Sequence, residues 1–349
     1  MYGMIKFPDW EIRKETKYSK LSYYYQNEKI DEKVLKKKVP PKQVECAKEI
    51  FESDKIKESA FEFSDVIEIQ IPENIELIET RAFNNCNKLE NIIMSNNINK
   101  IEINAFSMCA NLKNIKLSDG LKNIESYTFY QCINLEELVI PENIIEIKDN
   151  AFEWCSGLKN VIMPNSLQNI GTCVFLNCRG LETVHLPSKL KHIGCSAFYN
   201  CLNLKEIDIP NGVEKIKNGT FNNCIHLEKI NIPNSVTEIA GGVFKNCRNL
   251  KTVNIPKGIT TIHNGTFFDC KALEKINIPE NINKIEFCAF MGCKNLKEVE
   301  IINNKIIIEE NAFDENTKII KREEKDLDTI IKDCTLDKSE KNIEEELEK

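Results

Sequence analysis

No apolar run in this chain reaches the ~18 residues that a membrane-spanning helix needs, so helical insertion into a membrane is excluded. The opening residues, MYGMIKFPDWEIRKE, lack the apolar core of a secretory signal, and the expectation from that is a cytoplasmic protein. An excess of positive charge is lacking too. Lys and Arg number 47 against 54 Asp and Glu, a net charge of −7, which argues against nucleic acid as the partner. Catalytic signatures are missing as well: there is no G-x-x-x-x-G-K-[ST], no G-x-G-x-x-G after a strand and no H-E-x-x-H. Histidine is scarce, and the four present (185, 192, 226, 263) fall at different places in the pattern described below, so they do not gather as a set. From these absences no catalytic residue, no cofactor and no metal site is expected.

What the chain does have is a period. Phe stands at 83, 106, 129, 152, 175, 198, 221, 244, 267, 290 and 313, always 23 residues apart, with Phe61 one residue short of the register. Three residues after ten of these Phe comes Cys, from Cys86 to Cys293. A fixed period in the twenties marks a solenoid, which grows in one dimension, so the length of 349 residues does not imply two globular domains. The unit around Phe198 shows the logic. Phe198, Cys201 and Leu204 lie three apart, which predicts a helical or 3-10 turn. Ile207 and Ile209 alternate with Glu206 and Asp208, which predicts a strand. Pro210 ends that strand, and Val213 and Ile216 face inward from a second short extended piece. Gly171, Gly194, Gly219, Gly242 and Gly265 sit before the next Phe, where the turn asks for positive φ.

The fifteen cysteines bear on compartment. Repeats stacked at about 4.8 Å hold a Cys column a little too wide for the Cβ separation of about 3.8 Å that a disulfide prefers. Free thiols acting as small buried hydrophobes are therefore expected, consistent with a reducing interior. A straight column of thiols also cannot converge on zinc. Asn218-Gly219-Thr220 and Asn264-Gly265-Thr266 match a glycosylation acceptor but are taken as chance in an Asn-rich chain.

Three regions follow. Residues 1–58 carry five of the eight Tyr and are read as an N-terminal cap or flanking segment. Within it Pro41–Glu52 has the pattern of a helix with Val44, Ala47, Ile50 and Phe51 on one face, while Val39-Pro40 before Phe51 leaves a decayed repeat as the alternative. Residues 59–316 form about eleven repeats, irregular at both ends, where Ser64 and Asn316 stand in place of the Cys. Residues 317–349 are read as a capping helix over Glu323–Cys334 and a charged tail.

Leu204-x-x-Ile207-x-Ile209-Pro210, Val213-x-x-Ile216 and Thr220-Phe221-x-x-Cys224, recurring over three quarters of the chain, resemble the BspA-type leucine-rich repeat of the treponemal class. The resemblance implies a repeat solenoid of the α/β leucine-rich repeat class, curved, with parallel strands on the concave face and helical or 3-10 turns on the convex face. Its members include surface antigens and adhesins of host-associated microbes, so a cell-surface adhesin or antigen is the alternative to an intracellular scaffold.

Two columns deserve separate notice. Seven residues after each Phe the chain reads Glu90, Lys113, Glu136, Lys159, Glu182, Lys205, Glu228, Lys251, Glu274, Lys297. Stacking places each inner charge between two of opposite sign, a structural ladder. The outward strand positions vary instead, and variation on a regular scaffold is where partner choice is written. Candidate partner-binding residues are Ile93, Lys116, Glu137, Val139, Ile162, His185, Glu206, Asp208, Lys229 and Asn231. The expected function is a non-catalytic protein-binding scaffold acting through this face. The oligomeric state is left open.

Overall fold

The computed structural model describes residues 2–16, 19–303 and 305–321. The chain opens with four antiparallel strands, β1 (Gly3–Lys6), β2 (Trp10–Lys14), β3 (Ser22–Tyr25) and β4 (Glu28–Ile30), in consecutive pairing. Two helices follow, α1 (Glu32–Lys38) and α2 (Pro41–Glu49). The helix predicted from Pro41 is there, with Pro at its start and Val44, Ala47, Ile50 and Phe51 buried. The meander and α1 carry no repeat signature and were not predicted. Asp31 caps α1 by accepting from the Lys33 N–H. Glu32 ties the two helices to the meander: Lys36 and Lys48 reach it at 2.8 and 3.0 Å and the Tyr23 hydroxyl at 2.8 Å. The Lys36 bond, then those of Lys48 and Tyr23, lower its pKa to about 2. The decayed-repeat reading does not hold. Val39 is the C-cap of α1 and Pro40 the N-cap of α2, and the stacked Phe column begins at Phe61.

From Lys55 the chain winds through successive turns, most contributing a long-ladder strand of two to four residues and a second strand of two. The longer strands pair in parallel, Asn91–Ile93 beside Asn114–Lys116 and Glu206–Asp208 beside Lys229–Asn231, each residue beside the one 23 positions on. The shorter ones, such as Lys215–Ile216 beside Glu238–Ile239, form a second ladder. Between the ladders runs the core: Leu204, Ile207, Ile209, Val213 and Ile216 of one unit are all buried. β1 pairs antiparallel with the first long strand, Glu68–Gln70, so the meander continues the long-strand sheet rather than merely covering its end. At the other end Lys318–Lys321 pairs in parallel with Glu298–Ile301, one strand beyond the point where the sequence pattern stops. The spacing there is shorter than 23, which hid it. The capping helix expected over Glu323–Cys334, and the tail after it, lie outside the described residues.

The Phe-Cys-Leu segment differs from expectation. It is a run of turns, not a helix. In the unit of Phe221, the N–H groups of Thr220, Asn222 and Cys224 bond back three residues, while those of Gly219, Phe221 and Asn223 bond to the next repeat. A helix cannot alternate in this way. The left-handed residues two before and two after Phe, here Gly219 and Asn223 with φ of 63° and 61°, turn every second N–H outward. Asn or Asp at the second position in many units is suited to that conformation. Gly219, Gly242 and Gly265 occupy the first position, as the turn requires. Gly171 and Gly194 do not. They sit two residues earlier, without positive φ, where adjacent backbones approach closely.

The Phe rings stack nearly parallel from Phe61 to Phe313, with centroids 5.0–5.9 Å apart. Equivalent strands lie about 4.8 Å apart. The Phe side is thus the longer side of each step, and the stack curves with the long strands on the inside, the concave face. The Cys column does more than fill space. Each thiol donates to the carbonyl oxygen of the Phe in the preceding repeat, from Cys86 to Phe61 at 2.8 Å through Cys293 to Phe267 at 3.1 Å. The described cysteines are all free, and burial pushes the ladder thiols from Cys109 to Cys270 up, Cys132 to about 12.

The alternating charge column forms, but as separate pairs. Lys113, Lys159, Lys205 and Lys251 each reach back to the Glu of the preceding repeat, at 3.3, 3.0, 3.1 and 2.7 Å. Lys297 breaks the series, donating to the Lys294 carbonyl at 2.8 Å. One ammonium cannot hold both neighbours at bonding distance, and all four lean the same way. Lys205→Glu is therefore expected to lose one contact and create repulsion with both Glu182 and Glu228. Both partners of the lost contact are largely exposed, so the loss should be much smaller than for any core substitution. It should fade in high salt, as a surface pair does. Urea denaturation at low and high ionic strength measures it, and a salt-independent loss would count against the ladder.

Candidate binding surface

Outward residues of the long strands alternate with buried ones, so each strand presents two side chains to the concave face. Asn91 and Ile93 flank buried Ile92; Glu137 and Val139 flank Leu138; Asn160 and Ile162 flank Val161. Parallel register then builds rows along the solenoid. One row runs Gln70, Ile93, Lys116, with Val139 and Ile162 aligned beside each other further on. The candidate residues Ile93, Lys116, Glu137, Val139, Ile162, His185, Glu206, Asp208, Lys229 and Asn231 are all exposed on this face. His185 lies just past its two-residue strand, Thr183–Val184.

The surface changes character along its length. In the N-terminal half Ile93, Val139 and Ile162 are 49, 59 and 62 % exposed, large values for aliphatic side chains inside a sheet. Next, Thr183, His185, Glu206 and Asp208 surround a cavity of about 170 Å³. It opens because Thr183–Val184 and Glu206–Asp208 share only one paired position, where the next pair of strands shares three. Beyond it the row turns amide-rich. Asn254 donates to the Ile232 carbonyl at 2.6 Å and accepts from its N–H, so this Asn does structural work.

The repeat pattern concealed one extension. Because β1 joins the long-strand sheet, Met4 stands beside Gln70 and Lys6 beside Glu68, and the rows pass on to Arg13 and Glu11, then Ser22 and Tyr24. The Arg13 guanidinium lies 4.7 Å from the centre of the Tyr24 ring. The only sequence-level hint was the crowding of Tyr before residue 26. Among the described residues no group of three His, Cys, Asp or Glu is placed to hold a metal, and no helix is long and apolar enough to cross a membrane.

Parallel strands on two sides of a 23-residue turn, closed by a Phe stack and a thiol column, define a leucine-rich repeat solenoid. The chain belongs to the BspA type leucine rich repeat family, whose model matches residues 54–178, 145–274 and 260–344. Solved structures agree. The chain is similar to a leucine rich cell surface protein from Faecalibacterium prausnitzii A2-165 at 27 % identity and a TM-score of 0.50, over 78 % of this chain and 83 % of that one. It is similar also to a leucine-rich repeat protein from Bacteroides ovatus ATCC 8483, at 23 % identity and a TM-score of 0.54, over 91 % and 99 % of the two chains. No match was found among curated proteins.

Proposed function

We propose that this chain is a non-catalytic scaffold that holds a protein partner along its concave face, and that it does so at a cell surface. The observation that carries the first part is the set of exposed aliphatic side chains, Ile93, Val139 and Ile162, on strands whose buried central residue stays aliphatic from repeat to repeat. An apolar stripe with a polar rim is the form of a protein interface. Its buried anchors supply most of the affinity. The charged groups beside and beyond them, Glu137, Glu206 and Asp208, set specificity and association rate. The family and the Faecalibacterium relative, a cell surface protein by its description, favour the surface over the cytoplasm.

The test is the triple variant Ile93→Ser, Val139→Ser, Ile162→Ser, assayed against a partner recovered by crosslinking on intact cells. The fold should survive, since all three side chains point away from the core. Binding should weaken at least tenfold, or about 1.4 kcal/mol. Unchanged binding in the triple variant, with sensitivity on the Phe side instead, would place the interface elsewhere.

A further inference from the structure

A second site lies away from the concave face, on the short-strand ladder. A depression of about 410 Å³ opens between the strands His192–Ile193 and Lys215–Ile216, lined by Lys191, His192, Gly212, Glu214, Lys215 and Lys217. Three observations meet there.

The first is that the ladder is open. Lys215–Ile216 pairs with the strand after it but not with His192–Ile193 before it. At equivalent positions the N–H groups of Gly171 and Gly194 bond to the Ile147 and Ile170 carbonyls at 2.8 Å, and those of Gln168 and Lys191 bond across at 2.9 Å. Lys217 and Glu214 do not make the corresponding bonds to Ile193 and Lys191. Two backbone donors are thereby left facing the gap.

The second is space. Gly212 lines the depression without a side chain, at a position that carries Ser166 or Lys189 in earlier repeats. The third is charge. In a protein of net charge −7, Lys191, His192 and Lys217 have no ion-pair partner among the described residues, while Lys215 is held by Glu238 at 2.8 Å. The Glu214 carboxylate also lines the depression, as its one acid. The same two backbone bonds are missing at Lys122 and Glu125 and at Thr260 and His263. There Glu102 and Glu125, or the Glu286 that His263 contacts at 3.2 Å, bring carboxylates to the column, so among the described residues the gap at Lys217 is the one that gathers unpaired cations.

Unpaired N–H groups beside unpaired cations make an anion cradle. We propose that this depression binds a tetrahedral oxyanion, the phosphate or sulfate ester of a sugar-sized ligand. The N–H groups of Glu214 and Lys217 meet its oxygens, and Lys191 and Lys217 neutralise its charge. The volume suits more than a bare ion, being within the range of small-molecule pockets. The carbon skeleton then rests over Gly212.

The probes are sodium phosphate and sodium sulfate, titrated separately into nitrogen-15-labelled protein at constant ionic strength set with sodium chloride. The amide signals of Glu214 and Lys217 should move saturably, and those of Gly171 and Gly194 should not. The double variant Lys191→Ala, Lys217→Ala keeps both backbone donors and should raise the midpoint at least tenfold. Lys257→Ala, an exposed lysine elsewhere, should leave it unchanged. Response to phosphate alone assigns a phosphate ester, to sulfate alone a sulfate ester, and to both the shared oxyanion chemistry. No saturable movement with either salt overturns the proposal, as does an unchanged midpoint in the double variant.

Discussion

Phe198→Ala should cost about 3–5 kcal/mol of stability, the loss typical of a buried Phe with the cavity it leaves. Its ring is fully buried and stacked on both sides, 5.3 Å from Phe175 and 5.6 Å from Phe221. Removal also takes away two aromatic contacts of a continuous column. The same change at Phe313 should cost less. That ring is only half-buried and stacks on one described neighbour, Phe290, at 5.0 Å. Chemical denaturation of the two variants measures the difference. Similar small losses at both positions would mean that the Phe column is not what holds the repeats together.

Gly194→Ala should cost about 1–3 kcal/mol, although it adds a single methyl group. A Cβ built there lies 2.3 Å from the carbonyl carbon and the oxygen of Gly171, and both obstacles are backbone, which cannot swing aside. Gly242→Ala is the informative companion. Its added Cβ meets nothing within 4 Å, but its φ of 63° is one that a side chain resists. The two losses therefore arise from different causes. Shortening the neighbouring side chains should relieve neither, and a neutral Gly194→Ala in thermal denaturation would show that these backbones are not in close approach.

Those two glycines also show what sequence reading reaches. Period, strand and core were legible because stacking repeats each side-chain environment eleven times or so, and a column such as Phe83 to Phe313 states its burial in every unit. Backbone detail was less legible. The spacing of Phe198, Cys201 and Leu204 suits a helix and a run of turns equally. What decides is the left-handed residue between Phe and Cys, and Trp154 or Met108 at that place does not announce it. Cys looked like a small apolar filler because its acceptor, the Phe carbonyl of the preceding repeat, is a backbone atom that no sequence column displays. The ten exposed candidates on the concave face followed from strand alternation alone. Met4, Arg13 and Tyr24 did not, because the meander occurs once and has no second copy to align with.

The poor pairing between the unit of Thr183–Ile193 and the unit of Glu206–Ile216 has a mechanical meaning. On one side these units share a single paired position, and on the other none, while the Phe rings above them remain in contact. A rod made of equal links bends everywhere a little. A rod whose links differ bends most at the slackest, about the side that stays joined. Load applied along this solenoid, as a tethered particle under flow would apply it, concentrates its strain at that link. Val139 and Ile162, on strands that share three paired positions, then move together as one piece.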